Sequence, residues 1–99
     1  MIGKMSEASL QEIVLKLARI TGWLCYHTHD SRRSEPGFPD LVMVRGRRIL
    51  FVELKTARGK LTAEQDKWIQ ALREAGNEAL VWRPCNWTDG TIERNLAKN

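Results

Sequence analysis

The sequence has no apolar run approaching the roughly 18 residues that a membrane-crossing helix requires, and no signal-peptide pattern at its start. A soluble protein working in the cytoplasm is therefore the expectation, with no membrane partner. Cysteine is scarce: Cys25 and Cys85 are the two in the chain, each in or beside an apolar, strand-like run. No CxxC and no Cys/His ligand spacing accompanies them, which argues against a zinc site and favours reduced, buried thiols. Internal repeats, low-complexity tracts and linkers are also missing, so the 99 residues read as one domain spanning 1–99.

Charge is plentiful. Charged residues make up 28% of the chain and the net charge is +4. The excess favours a polyanionic partner. It falls in three clusters, Arg32-Arg33, then Arg45, Arg47 and Arg48, then Arg58 and Lys60. All three lie in expected loops or turns, where side chains can reach phosphates. A merely solvated surface accounts for the same pattern equally well.

Residues 6–21 show apolar side chains at helical spacing, Leu10, Ile13, Val14, Leu17 and Ile20, with Ser6 as N-cap and Gly22 as the stop. Residues 23–29 predict a strand, and the polar stretch 30–37 a loop. Two further strands are expected at 40–44 and 48–55. If Gly46-Arg47 forms a type II′ turn, Arg45 faces Arg48, Val44 faces Ile49, Val42 faces Phe51 and Asp40 faces Glu53. Thr62 can cap a helix running to about Ala75, with Gln65 at the capping-box position. A fourth strand at 78–83 should end at Pro84, and a short helix at 88–98 should close the chain. Both hairpin strands are apolar on two faces, which predicts a central sheet covered by helices on each side, a three-layer α/β domain.

Two carboxylates interrupt those apolar strands. In the register above, Asp40 and Glu53 lie opposite each other with Cβ atoms about 4.5–5.5 Å apart. Like charges so placed repel, and burial worsens the repulsion. A divalent cation would offset it, and Mg²⁺ or Mn²⁺ prefers such hard oxygen ligands. Lys55, two residues beyond Glu53, projects from the same face. Two acids and a lysine around one cation suit metal-assisted hydrolysis of a phosphodiester. The competing account is a structural ion pair between Lys55 and one acid.

Gly37-Phe38-Pro39-Asp40, followed after twelve residues by Glu53-Leu54-Lys55, resembles the PD-(D/E)xK nuclease motif. Leu61-Thr62-x-x-Gln65 and the opening Glu7-x-x-Leu10-Gln11 resemble one branch of that superfamily, the VRR-NUC (virus-type replication–repair nuclease) domain. The resemblance implies a restriction-endonuclease-like α-β-α core in the order α-β-β-β-α-β-α with a mixed sheet. It implies Asp40, Glu53 and the Leu54 backbone carbonyl as metal ligands, Lys55 acting on the nucleophilic water, a first-helix glutamate completing the acidic cluster, and Gln65 touching the site. On the helical wheel Glu7 falls about 70° from the apolar centre of the first helix and Glu12 about 150°, so Glu7 is the glutamate able to reach over the sheet. Favour from the helix dipole is the competing account of Glu7, and a capping role that of Gln65.

The implied activity is a structure-specific DNA endonuclease acting in replication, repair or recombination, on branched DNA such as Holliday junctions. The implied assembly is a homodimer, and chains this short resemble phage-type nucleases of bacterial hosts. Recognition through the DNA backbone and shape is expected, with Arg32, Arg33, Arg58 and Lys60 as candidate phosphate contacts. The alternative is a catalytically silent nucleic-acid-binding module on the same fold. His27 and His29 share a strand face and are candidates for the site rim or for ordinary half-buried positions. Trp23, Trp68 and Trp82 are candidate core residues, and Trp87 a candidate for a subunit interface.

Overall fold

The computed structural model describes residues 4–28 and 32–99. The elements run α1 (Glu7–Ile20), β1 (Leu24–His27), β2 (Leu41–Arg45), β3 (Arg48–Leu54), α2 (Ala63–Glu74), β4 (Glu78–Trp82), α3 (Pro84–Thr88) and α4 (Thr91–Ala97). The sheet order is β1-β2-β3-β4. β2 pairs antiparallel with both β1 and β3, and β4 is parallel to β3, with α2 as the crossover that parallel pairing requires.

The hairpin register is the expected one. Arg45 pairs with Arg48, Val44 with Ile49 and Val42 with Phe51. Gly46 has φ +61° while no non-glycine residue among the described residues has positive φ, which fits a II′ turn and excludes I′.

Strand alternation then sorts the two faces. Leu50, Val52 and Leu54 of β3 share one face with Leu41 and Met43 of β2 and with Trp82 of β4. That face is buried against Leu10, Val14, Leu15 and Ala18 of α1 and Ile92 and Leu96 of α4. Each of these larger side chains contributes about 1.5–3 kcal/mol by leaving water. Leu10→Ala alone should cost about 2–5 kcal/mol. The opposite face carries Phe51 and Glu53, and α2 covers part of it. There Phe38 sits edge-on to both Phe51 and Trp68, with ring centroids 6.0 and 5.1 Å away.

The C-terminal region departs from the expected single helix. Pro84 ends β4 and also opens α3, because a proline suits the first helical turn. Gly90, with φ +83°, then separates α3 from α4. This early helix leaves Cys85 exposed, against the expectation of burial. Cys25 is half-buried, and its burial pushes the thiol pKa up. Trp87 packs against this chain's own core, as do Trp23 and Trp82. The register sets His27 beside Leu41, on the α1 side of the sheet and away from Asp40 and Glu53, while His29 lies outside the described residues. No helix among the described residues is long and apolar enough to cross a membrane.

The second basic cluster has a structural task. Arg45 and Arg48 lie over the Trp23 ring at 4.6 and 5.2 Å, and the Trp23 indole donates to the Leu96 carbonyl at 3.0 Å. Arg48 donates to the Asn95 and Lys98 carbonyls, both at 2.9 Å, and forks onto Glu78 at 2.8 and 3.0 Å. Arg45 donates to the carbonyls of Thr21 and Lys98. These two arginines satisfy the last carbonyls of α4 and fasten the C-terminus to the hairpin.

Candidate active site

Three charged side chains meet at the start of β2 and the end of β3, on the α2 side of the sheet. Asp40 directly precedes β2, and its Oδ2 accepts the Leu54 N–H at 2.8 Å. That bond extends the β2/β3 pairing by a side chain and brings the carboxylate alongside Glu53. Glu53 is 1% exposed and Lys55 7%. Lys55 Nζ lies 3.7 Å from Glu53 Oε2.

The approach to Asp40 is built by the three residues before it. Gly37 has φ +94°, and a Cβ there would lie 2.5 Å from the Glu64 carbonyl carbon, so the loop and the first turn of α2 touch backbone to backbone. Phe38 anchors the loop by its two ring contacts, and Pro39 is buried. The Gly-x-Pro-Asp spacing therefore encodes a close approach, an anchor and a rigid entry to the strand.

Gln65 holds Glu53 from α2. Its Nε2 donates to Glu53 Oε2 at 3.0 Å, while its Oε1 accepts the Thr62 N–H at 2.9 Å. The Thr62 hydroxyl completes the capping box by accepting the Gln65 N–H at 3.1 Å. A backbone N–H can only donate, so the cap fixes which end of the amide faces the carboxylate. The capping role and the site role, which compete for one amide in the sequence, are both filled.

Burial above all, and then the charge of Asp40, push the Glu53 carboxyl up to about 8, against the pull of Lys55. A proton shared with Asp40 and the charge of Glu7 push in the same direction. Glu53 Oε1 is buried without a hydrogen-bond partner. A buried carboxylate oxygen with no donor, on a group whose pKa a second carboxylate raises, is what a divalent cation would satisfy, and both residues offer the hard oxygen donors that Mg²⁺ or Mn²⁺ takes. The donor set fits such an ion.

The family profile of the VRR-NUC domain matches residues 2–84. The chain belongs to the VRR-NUC family. Among solved structures, a VRR_NUC domain superposes with TM-score 0.73 at 25% identity, covering 90% of this chain and 97% of that one. A VRR_NUC domain protein superposes with TM-score 0.73 at 20% identity, covering 96% of this chain and 93% of that one. The Archaeoglobus fulgidus Holliday junction resolvase Hjc shares the fold, with TM-score 0.52 and 24% identity over 75% of this chain and 64% of its own. No functionally curated protein matches the sequence. Helix α4 lies beyond the family match, yet supplies Ile92 and Leu96 to the core.

Not every candidate residue of the VRR-NUC chain converges. Glu7 is exposed on the first turn of α1, on the helix that packs against the other face of the sheet. Its charge reaches Glu53, but among the described residues no three His, Cys, Asp or Glu side chains are grouped to hold an ion. A cavity of about 580 Å³ opens beside Asp40 and Gln65, lined also by Arg32, Phe38, Thr62 and Glu64. Arg33 and Lys60 are exposed, and Arg58 and Lys60 lie on the loop after Lys55. Arg83 is the polar contributor that sequence reasoning missed. Its guanidinium bonds that loop, and nothing in its position before Pro84 signals which carbonyls it reaches.

Proposed function

We propose that this VRR-NUC domain is a Mg²⁺- or Mn²⁺-dependent endonuclease that hydrolyses phosphodiester bonds in DNA, preferentially at branched structures such as Holliday junctions. The observation that carries the reading is the buried, unpartnered Glu53 Oε1 on a carboxyl that feels the charge of Asp40, with Lys55 against the same carboxylate. Buried like charges destabilise a fold, so a binding module alone has no use for them. The branched substrate rests on the fold shared with a Holliday junction resolvase.

Asp40 and Glu53 would hold the cation, with the Leu54 carbonyl beside them, and Glu7 adds negative charge from α1. An ion held there would supply Lewis acidity for the phosphoryl oxygen and lower the pKa of a water. Lys55 orients that water through its ammonium N–H groups and stabilises negative charge that develops on the phosphate. Gln65 keeps Glu53 from rotating away by holding Oε2. Arg32, Arg33, Arg58 and Lys60 contact backbone phosphates around the site, which positions DNA without reading its sequence.

A homodimer follows from cleavage at paired strands. Leu24, Tyr26 and Val44, exposed by 77%, 62% and 38%, lie on one face of the β1/β2 edge, the kind of apolar surface a second copy would cover. Light scattering tests the assembly: a mass of one chain would remove it.

The test of activity incubates four-way junction and linear duplex DNA with Mg²⁺ or Mn²⁺. Wild type should cut the junction in preference to the duplex. Asp40→Ala and Lys55→Ala should lower the rate by about 10²–10⁴ while still binding DNA. Binding by wild type without any cleavage would leave the silent DNA-binding module in its place.

A further inference from the structure

Arg83 leaves the end of β4 and reaches back over the loop that follows Lys55. Its Nη1 donates to the Thr56 carbonyl at 2.8 Å and to the Gly59 carbonyl at 2.6 Å. Those two carbonyls bracket a turn in which the Gly59 N–H is accepted by Thr56 Oγ1 at 3.0 Å. The root of the arginine is fixed as well, because its own N–H is accepted by Asn86 Oδ1 at 2.8 Å. One residue earlier, the Trp82 carbonyl accepts the Lys55 N–H at 3.0 Å. Lys55 is thus tied to residue 82 and the loop after it to residue 83.

The loop closes over the lysine stem. A Cβ on Gly59 would stand 3.6 Å from Lys55 Cδ, and Lys55 is only 7% exposed. A lysine side chain gives up much of its rotamer freedom when ordered, so something must hold its walls. A charged donor shared by two carbonyls is stronger than a neutral one. The guanidinium is engaged by these two loop carbonyls, so its hold on Lys55 runs through the loop.

We propose that Arg83 is a positioning residue: by holding loop 56–59 shut it keeps the Lys55 ammonium against Glu53. The catalytic consequence rests on the nuclease reading above; the hold on Lys55 rests on the geometry alone.

The test has two arms. In the first, metal-free protein is treated with an acetylating reagent and modification of Lys55 is read by peptide mass spectrometry. Arg83→Ala should label Lys55 about tenfold faster than wild type, with the far-UV spectrum unchanged, and Arg83→Lys should fall between them. Gly59→Ala, which puts a Cβ 2.9 Å from Thr56 Oγ1, should open the same loop without touching Arg83. In the second arm, Arg83→Ala should lower kcat on junction DNA about tenfold or more, with a smaller change in KM. In a Lys55→Ala background the same substitution should cost nothing further, since the two changes act through one group.

Unchanged labelling of Lys55 in Arg83→Ala overturns the proposal. So does a kinetic loss that persists in the Lys55→Ala background, or one confined to KM. Faster labelling in a protein that cleaves no DNA supports the arginine's hold on the lysine and sinks the nuclease reading instead.

Discussion

Gln65 donates one amide N–H to Glu53 Oε2 at 3.0 Å with the other end of the same amide locked in a helix cap. The orientation of the Glu53 carboxylate is thereby coupled to the start of α2. The side chain is held at both ends, so Glu53 gains a donor that cannot rotate away, and only Oε1 is left for an ion. This coupling makes the stability of one helix end and the competence of the site separable by mutation.

Gln65→Ala and Thr62→Ala should each cost about 1 kcal/mol in chemical denaturation, because each breaks the capping box. Their effects on cleavage should differ. Gln65→Ala also frees Glu53 and should slow cleavage about tenfold or more. Thr62→Ala leaves the amide against Glu53 and should change the rate far less. Equal rates in the two variants would reduce Gln65 to a cap.

Metal-free protein should lose stability as pH rises, and Glu53 is the cause. Its pKa in the folded chain is pushed up to about 8 from an ordinary 4.5. Between those values the folded state binds a proton that the unfolded state has released. The contribution is complete below about 4.5 and lost as pH climbs through about 8, with a slope of at most about 1.4 kcal/mol per pH unit. Glu53→Gln, which mimics the protonated acid, should flatten that slope and melt higher than wild type at pH 8.5, while abolishing cleavage. Thermal melts in chelator across pH 5–9 check this; a wild-type profile no steeper than that of the variant would contradict it.

The hairpin and its two acids are legible in the sequence because strand alternation and one turn glycine determine which side chains meet. The same holds for the capping box, whose spacing is local. Legibility ends where partners are distant in sequence and the signal is only a charge. Arg45 and Arg48 look like Arg58 and Lys60 in the sequence, yet the first pair is spent on α4 carbonyls and Glu78. Glu7 sits at the correct angle on its helix, but α1 packs on the far face, so its distance from Glu53 depends on tertiary placement that a helical wheel does not carry. Arg83 gives no sign of its role, since its acceptors are backbone carbonyls 24 and 27 residues away. Pro84 reads as a strand stop, and its second use as a helix start hides the break at Gly90.

The contrast among arginines yields a measurement. Arg58→Ala with Lys60→Ala should weaken junction binding and reduce the slope of log affinity against log salt by about 2, near 0.9 for each phosphate left without its cation. Arg48→Ala should leave that slope alone and lower stability by about 1–3 kcal/mol, because it uncovers the last carbonyls of α4 and removes the fork onto Glu78. Fluorescence anisotropy at several salt concentrations, paired with denaturation curves, separates the two. A reduced salt slope in Arg48→Ala would return the second cluster to the DNA surface.

Two glycines with left-handed backbone should respond differently to alanine, because what surrounds them differs. At Gly46 nothing lies within 4 Å of an added Cβ, so Gly46→Ala meets only the backbone strain of φ +61°, about 1 kcal/mol or slightly more. The hairpin register is also held by side chains on both faces, so the acids should stay opposed and the cleavage rate should hold within about twofold of wild type. At Gly37 the strain is joined by collision with the Glu64 backbone, which cannot swing aside without moving the first turn of α2. Gly37→Ala must therefore separate the loop from α2, shifting Phe38 off Trp68 and Asp40 relative to Gln65 and Glu53. The expected cost is about 2–4 kcal/mol, with cleavage reduced about a hundredfold in the fraction that remains folded. Denaturation curves and single-turnover rates on folded protein measure both. If Gly37→Ala proves as mild as Gly46→Ala, the close approach of loop and helix is not what places Asp40.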